Sequence, residues 1–389
     1  MLPTPELEIA RNLPQANCAP AEAERYTRWL ATHHYENFNV VSWLLPRDLH
    51  QHFYNVYAYC RWSDDLGDEV ADSARALKLL DAWEYELRLI YEDGAGPAHP
   101  VLIALRETIR AKDIPLQPFC DLLRAFRQDQ TVHRYATWDE VLDYCVYSAN
   151  PVGRLVLYLC GYRDELRQKL SDYTCTALQL ANFWQDVSRD LQKGRIYIPL
   201  EALAAHGLTD EDIVNKRFDA RYTALMKSLI ARTRELFSAG RPLAQTVQPF
   251  LRVDLEMFSR GGLAILDAIE GSGYNTLEHR PSLSKWTRRS YWERRSRSVY
   301  FRSAEIRSTQ PQPRSMRRNP RLHRAVPRVR PLRATIRSSS CVPIPMQFAI
   351  PTRSAIASPA PLVAAFIWPS SGCARKSATH SALSTLSCD

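Results

Sequence analysis

Apolar side chains recur at intervals of three and four through most of the first 289 residues, a spacing that predicts one helix after another. Leu49, Phe53, Val56, Tyr57 and Cys60 share one such stripe. It predicts a helix that starts at Pro46, a residue suited to a first turn, and runs to about Gly67. Similar patterns predict helices over Tyr26–Tyr35, Ala74–Tyr91, Val101–Lys112, Pro118–Gln130, Trp138–Ala149, Pro151–Leu159, Glu165–Leu191, Ala220–Ala239 and Leu251–Ile269. The segment Glu36-Asn37-Phe38 breaks the first of them. Only Arg195–Pro199 alternates at period two. Helices with short connections and sparse Gly and Pro predict a single all-α bundle domain over 23–289, preceded by an N-terminal extension, 1–22.

Beyond residue 290 the pattern stops. Arg, Ser and Pro alternate without period, and 11 of the 25 prolines fall there. Such a composition buries too little apolar surface to offset the entropy of ordering, so 290–389 is expected to be a disordered basic tail. It is either an extension without function, of the kind a shifted reading frame produces, or a segment that binds an anionic membrane or nucleic acid. It distorts the overall charge of +9: the tail holds 17 Lys/Arg against 3 Asp/Glu, and the first 289 residues hold 34 against 39. The part expected to fold is mildly acidic, which argues against nucleic acid as its partner.

No run of 18 apolar residues predicts a membrane span, and the first twenty residues lack a basic segment followed by an apolar one. The nine cysteines are scattered without a C-x-x-C pair, which fits reduced thiols. A cytoplasmic protein is expected, with at most peripheral contact at the inner membrane face.

Two segments carry candidate chemistry. In Arg61-Trp62-Ser63-Asp64-Asp65-Leu66-Gly67-Asp68-Glu69, Asp64 and Asp68 lie one turn apart if the helix continues through them. Like charges on a helical C-terminus repel one another and oppose the helix dipole, an arrangement that bound cations relieve. In Asn182-Phe183-Trp184-Gln185-Asp186-Val187-Ser188-Arg189-Asp190, Asn182, Asp186 and Asp190 form a stripe flanked by Gln185. Apolar neighbours Leu178, Ala181 and Val187 imply partial burial, and a buried carboxylate needs a partner or a metal. Each segment alone is also compatible with an acidic, solvated helix face. The pair suggests two helices holding Mg²⁺, which prefers carboxylate oxygens and bridges to phosphates. Arg61, Lys193, Arg195 and Arg280 are candidate diphosphate contacts. Phe38, Tyr57, Tyr144, Phe183, Trp184 and Tyr197 are candidate aromatic faces for a carbocation, or ordinary core packing.

With these residues stated, the chain resembles the squalene/phytoene synthase family over roughly 25–285, and within it the hopanoid-associated HpnC-type branch. The resemblance rests on Glu36-Asn37-Phe38, on Tyr57-Ala58-Tyr59-Cys60-Arg61 with Asp64-Asp65-Leu66-Gly67-Asp68-Glu69, on Tyr144 to Arg154, on Gln179 to Val187, and on Arg195-Ile196-Tyr197-Ile198-Pro199. It implies the isoprenoid-synthase bundle around a central cavity. It also implies Mg²⁺ on Asp64, Asp65 and Asp68 and on Asn182, Asp186 and Asp190, with Arg61 and Arg280 near the diphosphate and Tyr57 and Phe38 near the reacting carbons. For the HpnC-type branch it implies conversion of presqualene diphosphate to hydroxysqualene. Functional partners would be a presqualene diphosphate synthase and a flavin-dependent hydroxysqualene reductase. Arg189 departs from the family, whose condensing members usually carry an acidic residue there; this favours the second half-reaction over the joining of two farnesyl diphosphates. No Gly-rich dinucleotide site is present, so NADPH is not expected. Condensation to presqualene diphosphate or squalene, or of geranylgeranyl diphosphate to phytoene, is the alternative. A non-catalytic helical subunit is the alternative of another class. Deletion of 290–389 is expected to leave thermal stability and enzymatic activity unchanged, measured by circular dichroism and product assay.

Overall fold

Twelve α-helices and three short 3-10 turns make up the residues that the computed structural model describes, 7–33, 45–92, 94 and 96–282, and none of these residues is in a β-strand. The helices are α1 (Pro20–His33), α2 (Arg47–Asp68), α3 (Ser73–Arg88), α4 (Pro100–Lys112), α5 (Gln117–Gln128) and α6 (Trp138–Ser148). They continue with α7 (Asn150–Leu159), α8 (Glu165–Asp190), α9 (Leu200–Ala205), α10 (Asp210–Val214), α11 (Ala220–Gly240) and α12 (Pro249–Gly271). Among the described residues no helix is long and apolar enough to cross a membrane.

Short polar residues fix where several helices begin. Asp72, Thr137, Asp164 and Asp219 each accept a backbone N–H in the first turn of the helix that follows, and Thr209 with Asp212 forms a reciprocal capping box on α10. Each cap satisfies a donor that the helix leaves open, and is worth about 1 kcal/mol.

Two helices form the centre. α2 is buried without interruption from Asn55 to Gly67, and α8 from Thr174 to Ser188. A helix buried on all sides needs neighbours all round. α1, α3, α4, α5 and α7 surround α2, whereas α6, α7, α11 and α12 pack on α8. Several polar groups that enter this core are paired: Asn55 donates to the Ala104 and Thr108 oxygens, both at 3.0 Å, and accepts from Thr27 at 2.6 Å and Gln51 at 2.9 Å. Trp83 donates to Ser63 at 2.9 Å, and Trp62 to Tyr26 at 3.2 Å.

Several sequence expectations need correction. α1 runs from Pro20 to His33 and does not begin at Tyr26; Leu7 and Ile9 are also buried, and Tyr26 hydrogen-bonds the Ile9 carbonyl. The early stripe rests on the small Ala23, which reads weakly beside the polar residues around it. Pro46 is the N-cap of α2 and not its first helical residue. Residues 195–199 form no strand: Ile196, Tyr197, Ile198 and Pro199 are all buried, so both sides of the segment are covered. Its backbone is fastened by Ile196 N–H to the His133 carbonyl at 3.0 Å and by Leu200 N–H to that of Tyr135 at 2.9 Å. α9 and α10 escaped notice because helices of six and five residues are too short to show a period. Phe38 and the tail 290–389 lie outside the described residues.

Gly240 closes α11 against α8. A Cβ there would meet the Thr174 side chain, with the Thr174 backbone nitrogen at 2.9 Å and the Leu170 carbonyl oxygen at 3.0 Å. Helix propensity alone favours alanine over glycine by about 1 kcal/mol. Because backbone atoms cannot swing aside, Gly240→Ala is expected to destabilise instead, by about 1–3 kcal/mol, measured by urea denaturation.

Candidate active site

The acidic segments sit at the C-terminal ends of the two central helices. α2 continues through its motif, so Asp64, Asp65 and Asp68 do share its last turns. These are not solvated: Asp64 is 7% and Asp65 2% exposed, and on α8 Asp186 is 1% and Asp190 2% exposed. Asn182 and Gln185 are buried beside them. The reading of either segment as an open acidic face is therefore excluded.

Burial of this many carboxylates demands opposite charge, and five basic side chains supply it. Arg61 pairs with Asp65 along its own helix and reaches Asp64 at 3.9 Å. Lys193 Nζ lies 2.9 Å from Asp68, and Arg195 lies 3.3 Å from its other oxygen. Both bases follow α8, and Asp68 ends α2. This contact joins the two helix ends across 125 residues of sequence. Arg280 holds Asp186 and donates to Gln185 at 3.0 Å, while Gln185 donates to the Pro281 carbonyl at 2.7 Å. Arg189 approaches Asp186 at 4.0 Å.

Proton affinities reflect this arrangement. Burial raises the Asp68 carboxyl, but Lys193 and Arg195 outweigh it and hold the group below its ordinary value. Asp190 goes well above the carboxylate range, through burial and then the charge of Asp186, with Asp68 adding to the effect. That Asp190 feels both Asp186 and Asp68 places the two acidic segments in one electrostatic field. The Asp190 Oδ1 atom is buried and meets no hydrogen-bond donor among the described residues. An oxygen-only donor set with such an orphaned carboxylate oxygen suits a hard divalent cation. Among the described residues, however, no three His, Cys, Asp or Glu side chains stand in a metal-ligating arrangement. Asp64, Asp65, Asp68 and Asp186 are instead paired with basic side chains.

The aromatic candidates divide. Phe183 and Tyr197 stack with centroids 3.9 Å apart, and Tyr144 lies 6.1 and 5.8 Å from them. Tyr57 is buried one turn before Arg61. Trp184 belongs to the core: its indole donates to Thr233 on α11 at 2.9 Å.

Two further polar residues stand at this site that the sequence reading did not assign to it. Gln179 extends the α8 stripe, three residues before Asn182 and seven before Asp186, and its buried Oε1 has no donor among the described residues. Its spacing was legible. Asp129 was not, because Arg127-Gln128-Asp129-Gln130 looks like an ordinary solvated helix end. It is buried, accepts from Tyr144 at 2.9 Å, and offers its backbone carbonyl to Arg195 at 3.1 Å. Gln130, beside it, donates to the Gly67 carbonyl at 2.9 Å and so ties α5 to the end of α2.

Removing Arg195 would leave Asp68 and the Asp129 carbonyl short of a partner. Arg195→Ala is expected to cost about 3 kcal/mol in urea denaturation. Arg217→Ala removes an exposed guanidinium and leaves the buried Asp212 still held by Thr209, so it is expected to cost less, about 1 kcal/mol.

The squalene/phytoene synthase family model matches residues 31–287. A hydroxysqualene synthase of Rhodopseudomonas palustris is 38% identical over 231 residues, covering 58% of this chain and 76% of that protein. A phytoene synthase of Arthrospira platensis is 29% identical over 272 residues, covering 67% of this chain and 87% of the relative. In three dimensions the chain is similar to the crystal structure of squalene synthase HpnC from Alicyclobacillus acidocaldarius. That likeness has a TM-score of 0.63 and 43% identity, and covers 69% of this chain and 99% of the other. Two buried acidic helix ends, joined by basic side chains within an all-helical fold of this kind, make the chain an isoprenoid synthase belonging to the squalene/phytoene synthase family.

Proposed function

We propose that the protein ionises presqualene diphosphate and captures the resulting carbocation with water, giving hydroxysqualene. The observation that carries this reading is the meeting of Asp68 with Lys193 and Arg195, which brings the α2 and α8 acidic ends into one field. Similarity to a hydroxysqualene synthase at 38% identity supports the choice of reaction.

Asp64, Asp65 and Asp68 on α2, with Asn182, Asp186 and Asp190 on α8, would hold Mg²⁺. When bound, the ion neutralises charge that builds on the leaving pyrophosphate. Arg61, Lys193, Arg195 and Arg280 bind and orient the diphosphate, exchanging their present carboxylate partners for phosphate oxygens. Gln185, tied to Pro281 and Arg280, keeps the last of these in place. Phe38 and Tyr57 flank the reacting carbons, and the stacked Phe183 and Tyr197 with Tyr144 supply aromatic faces for the cation. Arg189 favours this half-reaction: a fixed cation beside Asp186 takes a place where a further carboxylate would serve metal. The domain is assigned to 23–289, with the residues from 7 packed onto it and the tail outside it. A presqualene diphosphate synthase would supply the substrate, and a flavin-dependent reductase would consume the product.

The similarity to a phytoene synthase favours a second reading, head-to-head condensation of two prenyl diphosphates. Purified protein given each diphosphate with Mg²⁺ and no reductant separates the two by product mass. Hydroxysqualene is expected from presqualene diphosphate. Consumption of farnesyl diphosphate alone would transfer the assignment to condensation. Asp64→Ala and Asp186→Ala are each expected to lower turnover by about 10²-fold or more, and undiminished turnover would exclude the paired acidic site.

A further inference from the structure

The reaction proposed above needs a water molecule held apart from bulk solvent and a group to take its proton, and none of the residues assigned so far does either. Asp129 stands where such a group is needed. It caps the C-terminal end of α5, with Oδ2 accepting from Tyr144 at 2.9 Å and its backbone carbonyl bound by Arg195, whose guanidinium also holds Asp68. Its second carboxylate oxygen, Oδ1, is buried and meets no donor among the described residues. An unsatisfied buried carboxylate oxygen is unfavourable, and a bound water relieves it. The hydroxyl of Tyr135 is also buried, and its polar neighbours are Asp129 and Gln128. Tyr135 and Tyr144 in turn pack against Tyr197, with ring centroids 5.8 Å away in each case. The orphaned oxygen thus lies at the edge of the aromatic group assigned to the carbocation, one guanidinium away from the diphosphate carboxylates.

We propose that Asp129, framed by Tyr144 and Tyr135, holds the water that captures the carbocation and accepts its proton. This rests on the hydroxysqualene reading and assigns a residue to its last step. The carbon–oxygen bond to diphosphate breaks first, with its electron pair leaving on pyrophosphate. A water lone pair then forms the new carbon–oxygen bond, and the oxonium's proton passes to the Asp129 carboxylate. No electrons are exchanged with a third reagent.

The groups facing Asp129 are Tyr144 on α6, Tyr135 after α5, Arg195, Lys193 and Tyr197 after α8, and Asp68 at the end of α2. Burial pushes its carboxyl up to about 7, against the lowering by Arg195. A group poised there takes up a proton at neutral pH and gives it back.

Asp129→Asn keeps the shape and removes the basicity. In assays of the full chain with presqualene diphosphate and Mg²⁺, its pyrophosphate release is expected to fall far less than its alcohol formation. Its alcohol formation is expected to fall about 10²-fold, replaced by hydrocarbon formed through proton loss from the cation. In wild type the alcohol share is expected to rise with pH through about 7, and in Asp129→Asn that limb is expected to vanish. Tyr144→Phe is the second variant, decisive if Asp129→Asn does not fold. Loss of a hydrogen bond that lowers the Asp129 proton affinity is expected to move the limb to higher pH. An unchanged alcohol share in Asp129→Asn, equal loss of alcohol and pyrophosphate, or an unmoved limb in Tyr144→Phe would overturn the proposal. Failure of wild type to release pyrophosphate from presqualene diphosphate would instead remove the reaction itself, and the proposal with it.

Discussion

Everything at this site follows from placing carboxylates at the buried C-terminal ends of two helices. Both the helix dipole and the loss of solvent disfavour negative charge there. The fold answers with basic side chains drawn from elsewhere: Lys193 and Arg195 from the turn after α8 reach Asp68 on α2, and Arg280 from beyond α12 reaches Asp186. These contacts set how the helix ends are held, because an unpaired buried carboxylate would be far more costly than a misplaced loop. They also gather five cations around the two helix ends.

That arrangement is poised for exchange. A diphosphate offers the guanidinium and ammonium groups stronger acceptors than the carboxylates they now hold, and the carboxylates so released are the donors a hard divalent cation prefers. Asp190 is the exception within the site, since it is buried with an oxygen that no described donor reaches and its proton affinity is correspondingly high. Around the charged centre α2 and α8 are each encased by neighbours, and Asn55, which enters their packing, is fully paired. A closely packed frame around a few ion pairs is suited to confining a reactive cation.

The proposal for Asp129 adds a second polar centre beside the first. Arg195 belongs to both, since it binds the Asp129 carbonyl and the Asp68 carboxylate. Diphosphate binding and water placement would therefore be mechanically linked through one side chain.

The sequence by itself determined the helical class, most helix boundaries to within a few residues, and the two acidic segments, because three-and-four periodicity and carboxylate spacing are local properties of the chain. It also contained the spacing of Gln179 and the departure at Arg189. Only the tertiary structure decided which charges neutralise which, since the Asp68–Lys193 pair spans 125 residues and the Asp186–Arg280 pair 94. It alone showed that Trp184 belongs to the core while Phe183, its neighbour, stacks on Tyr197. Asp129 was invisible for the same reason: it is met by Tyr144 from α6 and by Arg195 from the segment after α8, and nothing in its immediate sequence sets it apart from a surface aspartate. Burial and charge pairing are relations between distant segments, and no local pattern encodes them.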